Sequence, residues 1–224
     1  MGGMFSQVFW KQAWTPEAES VLRQALVSQR CSIRELSSQQ WEPSTATIGG
    51  IADHMTSYLA PASEAWSSVT LHLNSLVFES VAEELSRLTS GPAIAISDFH
   101  QETWGYSLFE SGKLLDRFWN SPSMSETPPE EWVGNVPALV RVFGVMAETI
   151  APYLCHITTE NCRTKVFDDD ESVLGDHWVR LDFMRKLGIP YPSPGEVAGS
   201  RYVQIEEPRS RFRTTRSQLS DQPT

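Results

Sequence analysis

Two strand-like segments joined by a tight turn constrain the fold of this chain most strongly. Thr103–Phe109 and Lys113–Trp119 are rich in aromatic and large apolar residues, and Ser111-Gly112 lies between them. Glycine readily adopts the positive φ angles that a two-residue hairpin turn requires. The pattern therefore predicts a β-hairpin, and a β-sheet that is built next to it.

The two-residue turn also predicts the register of the hairpin and the side chains that share a face. The predicted cross-strand pairs are Glu110 with Lys113, Leu108 with Leu115, Tyr106 with Arg117, and Trp104 with Trp119. A shift of one residue stays open, because Ser-Gly is a weaker turn signal than Asn-Gly. The predicted binding residues on this face are Trp104, Tyr106, Arg117 and Trp119. Aromatic residues and arginine are typical of binding hot spots, and the alternative is a platform beneath a helix.

Apolar residues at helical or strand spacing predict the other elements. The predicted helices are 16–29, 75–90, 137–150 and 176–187, and the other predicted strands are 69–73 and 93–97. Residues 51–66 stay ambiguous between helix and irregular structure, because Pro61 interrupts them. These elements predict an α+β fold in which helices pack on one face of a small, largely antiparallel sheet.

The chain is predicted to divide into three regions. They are a helical N-terminal region and linker at 1–50, the α+β domain at 51–192, and a flexible, Arg-containing tail at 193–224. The linker prediction rests on the Ser, Thr and Gly content of residues 37–50. The tail is rich in Ser, Thr and Arg and poor in apolar residues near its end, which predicts disorder.

The charge of the chain indicates which partners to expect. Its formal net charge is −10, and its last 24 residues contain five arginines against three acidic residues. The chain without these last 24 residues therefore carries a larger net negative charge than the whole chain. Phosphate neutralisation needs surplus cationic charge, so we expect no nucleic-acid partner except through the tail. An acidic surface with many tryptophans favours a protein partner instead, and the oligomeric state is left open.

Cysteine spacing and hydropathy indicate the compartment. Cys31, Cys155 and Cys162 form no C-x-x-C pair, so neither a zinc knuckle nor a redox motif is predicted. We expect buried or idle thiols, and the alternative is a bridge between Cys155 and Cys162. There is no signal-peptide pattern and no apolar run of about 18 residues, which predicts a cytoplasmic protein without membrane contact.

The strongest alternative site follows the predicted strand 93–97. Asp98, His100 and Glu102 occupy alternate positions, so a continued strand projects all three to one side. Such a cluster could hold a divalent metal or supply an acid–base pair, which makes a metal-assisted hydrolase the alternative function. A solvated loop explains the same spacing, and no further ligand is fixed by it. We therefore predict no metal and no cofactor.

The acidic run Asp168–Glu171 suggests a calcium loop and departs from it. Counted from Asp168, the sixth and twelfth positions of such a loop hold Val173 and Val179 instead of glycine and glutamate. We therefore predict a solvated acidic turn here. Asp176 is predicted to cap the following helix.

Two segments resemble a group of uncharacterised bacterial α+β proteins. They are Trp104–Pro122, with the sequence WGYSLFESGKLLDRFWNSP, and Asp182–Pro190, and the resemblance covers about residues 67–192. The chain is also similar to small acidic immunity and regulatory proteins that neutralise bacterial toxins or partner enzymes. These resemblances imply an α+β fold and assign no catalytic residue. Asp116 belongs to the shared pattern, and we expect it to make a structural hydrogen bond. The expected function is a non-enzymatic, acidic protein-binding module of immunity or regulatory type.

Overall fold

The computed structural model describes residues 5–35, 56–71, 75–99, 103–120, 132–189 and 201–206. The strands are β1 (Phe5–Trp10), β2 (Ser32–Glu35), β3 (Thr56–Pro61), β4 (Ser67–Leu71), β5 (Pro92–Phe99), β6 (Thr103–Glu110), β7 (Lys113–Trp119) and β8 (Arg201–Glu206). The helices are α1 (Pro16–Ser28), α2 (Ser75–Thr89), α3 (Val136–Phe143), α4 (Ala147–Ile150) and α5 (Val179–Lys186). The predicted α+β class is confirmed.

The strands in the described part of the chain form one eight-stranded sheet in the order β2-β8-β3-β4-β1-β5-β6-β7. Every neighbouring pair is antiparallel, which confirms the predicted arrangement. β4 and β5 correspond to the predicted strands 69–73 and 93–97, and β3 lies within the ambiguous segment 51–66. The predicted hairpin is present as β6 and β7, and β7 is the last strand at one edge.

The central strand of the sheet comes from the first residues of the chain. Val8 of β1 pairs with Val69 of β4 on one side and with Ala95 of β5 on the other. The predicted helical N-terminal region is therefore corrected: it contains α1, but it also contributes β1 and β2 to the sheet. Sequence reasoning missed β1 because six residues with polar Ser6 and Gln7 give no clear period, and their burial depends on distant partners.

Helices cover both faces of the sheet, whereas the sequence predicted one. One core joins α1 and α2 to the sheet face that carries Val8 and Ala95. The other core joins α3, α4 and α5 to the opposite face, which carries Phe9 and Ile96. The physical reason is that β1 and β5 carry apolar side chains at consecutive positions, and therefore on both faces of the sheet. Helices must then pack on both faces to bury these side chains.

Local signals explain where the helices begin and end. The Thr15 side chain caps α1 by accepting from the amide of Ala18, and Pro16 occupies the first turn. The predicted helix 137–150 is divided into α3 and α4, because Gly144 adopts a left-handed φ of 72°. Among the described residues no single helix is long and apolar enough to cross a membrane; only α3 together with Ala147–Tyr153 meets that test, as a pair bent by 113°.

Part of the predicted flexible tail is ordered. Residues 201–206 form β8, which pairs with β2 and β3. This strand corrects the predicted boundary of the tail at residue 193. The rest of the tail and the predicted linker at 37–50 lie outside the described residues.

The hairpin has the predicted turn but a different register beyond it. Ser111 and Gly112 have φ angles of 51° and 76°, as a type I′ turn requires. The pair Glu110–Lys113 is confirmed. Farther from the turn a β-bulge shifts the register, and the observed pairs are Leu108 with Asp116, Ser107 with Arg117, Tyr106 with Phe118, and Gly105 with Trp119. The other three predicted pairs are therefore wrong, because Leu115 is an extra residue on β7.

Candidate functional site

The bulge separates the four predicted binding residues. Trp104 and Tyr106 lie in the core, where both rings contact the ring of Phe183 from α5. Arg117 lies on the other face, where its guanidinium binds Glu79 of α2 at 2.8 Å. Trp119 follows Arg117 by two positions and therefore shares its face. The structure thus places two of these residues under a helical layer and does not unite the four in one groove.

A different groove opens beside the same hairpin, between β7 and the start of α3. We call it the Asp116 groove, and it has a cavity volume of about 510 Å³. The residues that line it are Leu114, Leu115, Asp116, Arg117, Val133, Gly134, Asn135, Val136 and Pro137. Sequence reasoning did not find this groove. The signal in the sequence is the pair of consecutive leucines, which breaks the alternation expected of a strand.

The bulge explains why a carboxylate forms the floor of the groove. In a regular strand, consecutive side chains point to opposite faces. A bulge sets two residues against one, so Leu115 and Asp116 both face the core that contains Tyr106. A polar side chain at such a position needs hydrogen-bond partners from its surroundings.

Asp116 finds three donors and is almost fully buried. The Tyr106 hydroxyl donates to Oδ2 at 2.6 Å, the Asn135 amide donates to Oδ2 at 2.9 Å, and the Arg117 amide donates to Oδ1 at 2.8 Å. The structural hydrogen bond expected of Asp116 is therefore present. Both oxygens receive a donor, which is the arrangement that suits the ionised carboxylate.

Burial changes the acidity of both partners in this contact. It raises the pKa of Asp116, and the three hydrogen bonds lower it by less. Burial and the neighbouring charge of Asp116 raise the pKa of Tyr106 well above its ordinary value. The phenol therefore keeps its proton at neutral pH and serves as a donor, and it is poorly suited to act as a base.

The rim of the groove is apolar and exposed. Leu114 on β7 is 50% exposed and Val133 on the opposite side is 48% exposed. Leu115 and Val136 lie deeper and pack against the core. Neighbouring exposed apolar side chains around a concave surface are typical of sites where proteins bind one another.

The groove begins where two backbone segments separate. Phe118 and Val133 form an antiparallel bridge, and the Gly134 amide donates to the Arg117 carbonyl at 3.0 Å. Gly134 then adopts a φ of 78°, which turns the chain away from β7 and into α3. Its missing side chain also matters, because a Cβ there would lie 3.0 Å from the Tyr106 hydroxyl.

The alternative metal cluster is not assembled by the described residues. Asp98 is buried at the end of β5 and binds Arg180 at 2.9 Å, and the two side chains are 4% and 3% exposed. His100 and Glu102 lie outside the described residues. Within the described part of the chain, no group of three or more His, Cys, Asp or Glu side chains could hold a metal ion. Asp98 is the one member of the predicted cluster among the described residues, and it is already paired with the buried guanidinium of Arg180.

The acidic run is partly buried, which corrects the predicted solvated turn. Asp170 accepts from the Tyr153 hydroxyl at 2.6 Å and from Arg185 at 3.2 Å. Arg185 also donates to buried Asp182 at 2.9 Å, and this carboxylate accepts from the amide of Glu171. These bonds fasten the turn to α5. The sequence signal for these hydrogen bonds is the basic last turn of α5. The sequence did not indicate that this turn pairs with the acidic run Asp168–Glu171.

Cys31, Cys155 and Cys162 form no disulfide bond with one another. Burial raises the pKa of the Cys155 thiol, which makes it a weak nucleophile. No protein-family model, curated protein or solved structure matches this chain.

Proposed function

We propose that this chain is a non-enzymatic, cytoplasmic module that binds a protein partner through the Asp116 groove, in a regulatory role of the immunity type. The observation that carries the proposal is that two exposed apolar residues, Leu114 and Val133, line the same groove at a sheet edge. Burial of such surface is the main favourable contribution to protein association. A cavity of about 510 Å³ has room for one or two side chains of a partner.

The chemistry of the groove also favours binding over catalysis. Asp116 and Tyr106 bind each other, and the raised pKa of Tyr106 leaves the phenol protonated at neutral pH. Arg117 is held by Glu79 and Ser107 on the other face of the hairpin. The polar groups of the groove therefore position one another, and a partner would meet a preformed surface.

Selection from a library of displayed dodecamer peptides tests this proposal. We expect the full chain to enrich peptides whose affinity falls at least tenfold in Val133→Glu, since a buried charge would then face the apolar partner. Val27→Glu is the matched control, because Val27 is 66% exposed on α1 and lies away from the groove. Selected peptides that bind wild type and Val133→Glu equally, or a failure to enrich any peptide, would contradict the proposal.

A further inference from the structure

The hydrogen bonds of Asp116 use most of its acceptor positions but not all of them. A carboxylate offers about four acceptor positions, two on each oxygen. Oδ2 already accepts from the Tyr106 hydroxyl and the Asn135 amide, whereas Oδ1 accepts, among the described residues, from the Arg117 amide alone. One acceptor position therefore remains, on Oδ1, and Asp116 lines the groove.

A single acceptor position discriminates between the two long cationic side chains. Arginine binds a carboxylate best through two parallel N–H bonds, one to each oxygen. Because Oδ2 is already saturated, the guanidinium cannot make both bonds here. A lysine ammonium is a compact point charge that needs one acceptor and keeps its other protons for water.

We propose that the Asp116 groove receives the side chain of a single lysine, presented between apolar residues by a segment of the partner protein. This inference rests on the proposed function, because it names the chemistry of the partner at the same groove. The apolar stem of the lysine packs against Leu115 and Val136, and its apolar neighbours cover Leu114 and Val133. The net charge of −10 attracts a basic partner to this chain at long range.

The lysine preference also separates an external partner from the basic end of this chain. Residues 193–224 contain arginine and no lysine. Because the remaining acceptor position of Asp116 suits lysine better than arginine, that segment is disfavoured as the occupant.

Three capped tripeptides test the proposal by NMR titration of the full chain. They are Leu-Lys-Leu, Leu-Arg-Leu and Leu-norleucine-Leu, and the reporters are the backbone amides of Arg117, Gly134 and Asn135. We expect the lysine peptide to bind at least about tenfold more tightly than the norleucine peptide, as a hydrogen bond to a charged group implies. We also expect it to bind more tightly than the arginine peptide.

Asp116→Asn removes the charge and should abolish the preference for lysine over norleucine. Asp168→Asn is the matched control, because it makes the same charge change at an exposed residue outside the groove. Melting temperatures show whether each variant is folded. The three-peptide comparison on the unaltered chain decides the proposal even if Asp116→Asn does not fold.

The other outcomes overturn the inference in distinguishable ways. Equal binding of the lysine and norleucine peptides, measured at the groove amides, refutes the preference for a lysine side chain and does not contradict the proposed function. Arginine binding as tight as lysine refutes the single-acceptor argument. No shift of these amides with any tripeptide also refutes the inference, whereas the peptide selection separately decides the proposed function. A dimer in sedimentation that Val133→Glu dissociates would make a second copy the occupant.

Discussion

The buried ion pair between Asp98 and Arg180 makes a quantitative prediction about stability. Its atoms lie 2.9 Å apart and both side chains are almost completely buried. Arg180→Met keeps much of the side-chain volume and removes the positive charge. It also removes the hydrogen bond from the guanidinium to the His177 carbonyl and its contact with the ring of Trp178. The buried Asp98 carboxylate then loses its ion pair with Arg180.

We expect Arg180→Met to lower the free energy of unfolding by about 3–5 kcal/mol, the usual cost of removing one partner of a buried ion pair. The double variant Asp98→Leu/Arg180→Met should recover most of this loss, since two apolar side chains can replace a buried pair at little cost. The matched control is Arg141→Met. Arg141 pairs with Glu110 at 2.8 Å on the surface, where solvent screens the charges, so the change should be far smaller.

Urea unfolding, followed by tryptophan fluorescence and by circular dichroism, measures these differences. An unchanged m-value shows that the variants unfold in the same two-state manner. Equal losses in the free energy of unfolding for Arg180→Met and Arg141→Met would refute this prediction. It is equally refuted if the double variant is as unstable as the sum of its single changes, because the two charges would then not interact.

Two further predictions concern the Asp116 groove. Gly134→Ala should destabilise the protein by about 1–3 kcal/mol, because it combines a positive φ with a close approach to Tyr106. Gly144→Ala is the matched control: it also has a positive φ, nothing lies within 4 Å of its added Cβ, and equal losses in thermal melting would refute the steric argument. The second prediction concerns pH. Burial raises the pKa of Asp116 above 3.8, so the folded state takes up this proton at a higher pH than the unfolded chain. Its contribution to stability should therefore fall as pH rises from 3.8 to the folded-state pKa, and Asp116→Asn should remove this fall. Wild type and variant with parallel urea-stability profiles over pH 3.8–7 would contradict it.

The sequence predicted those elements whose signals are local. The hairpin turn follows from Gly112, and α1 follows from its cap at Thr15. Both features depend on residues within a few positions of one another. The resemblance-based expectation for Asp116 also held, because a polar residue between apolar strand residues needs hydrogen-bond partners.

The candidate groove could not be predicted, because its geometry depends on residues far apart in the chain. The bulge at Leu115 moves Asp116 to the core face, and only then can Tyr106 and the amide of Asn135 reach it. A strict alternation along β7 instead predicted a face shared by Trp104 and Trp119. One extra residue in a strand reverses every assignment beyond it.

The position of β1 has a consequence for how the protein reaches this structure. β1 lies between β4 and β5, so the strands β2, β8, β3 and β4 meet the strands β5, β6 and β7 in the sheet through β1. β1 precedes both of its partner strands in the chain, and Val8 must pair with distant Val69 and with still more distant Ala95 before both of its edges are paired. Such distant pairings are slow to form, since each must close a long loop of chain. β1 is therefore fully enclosed only after both of these distant pairings have formed, and until then two separate half-sheets expose the edges that β1 joins.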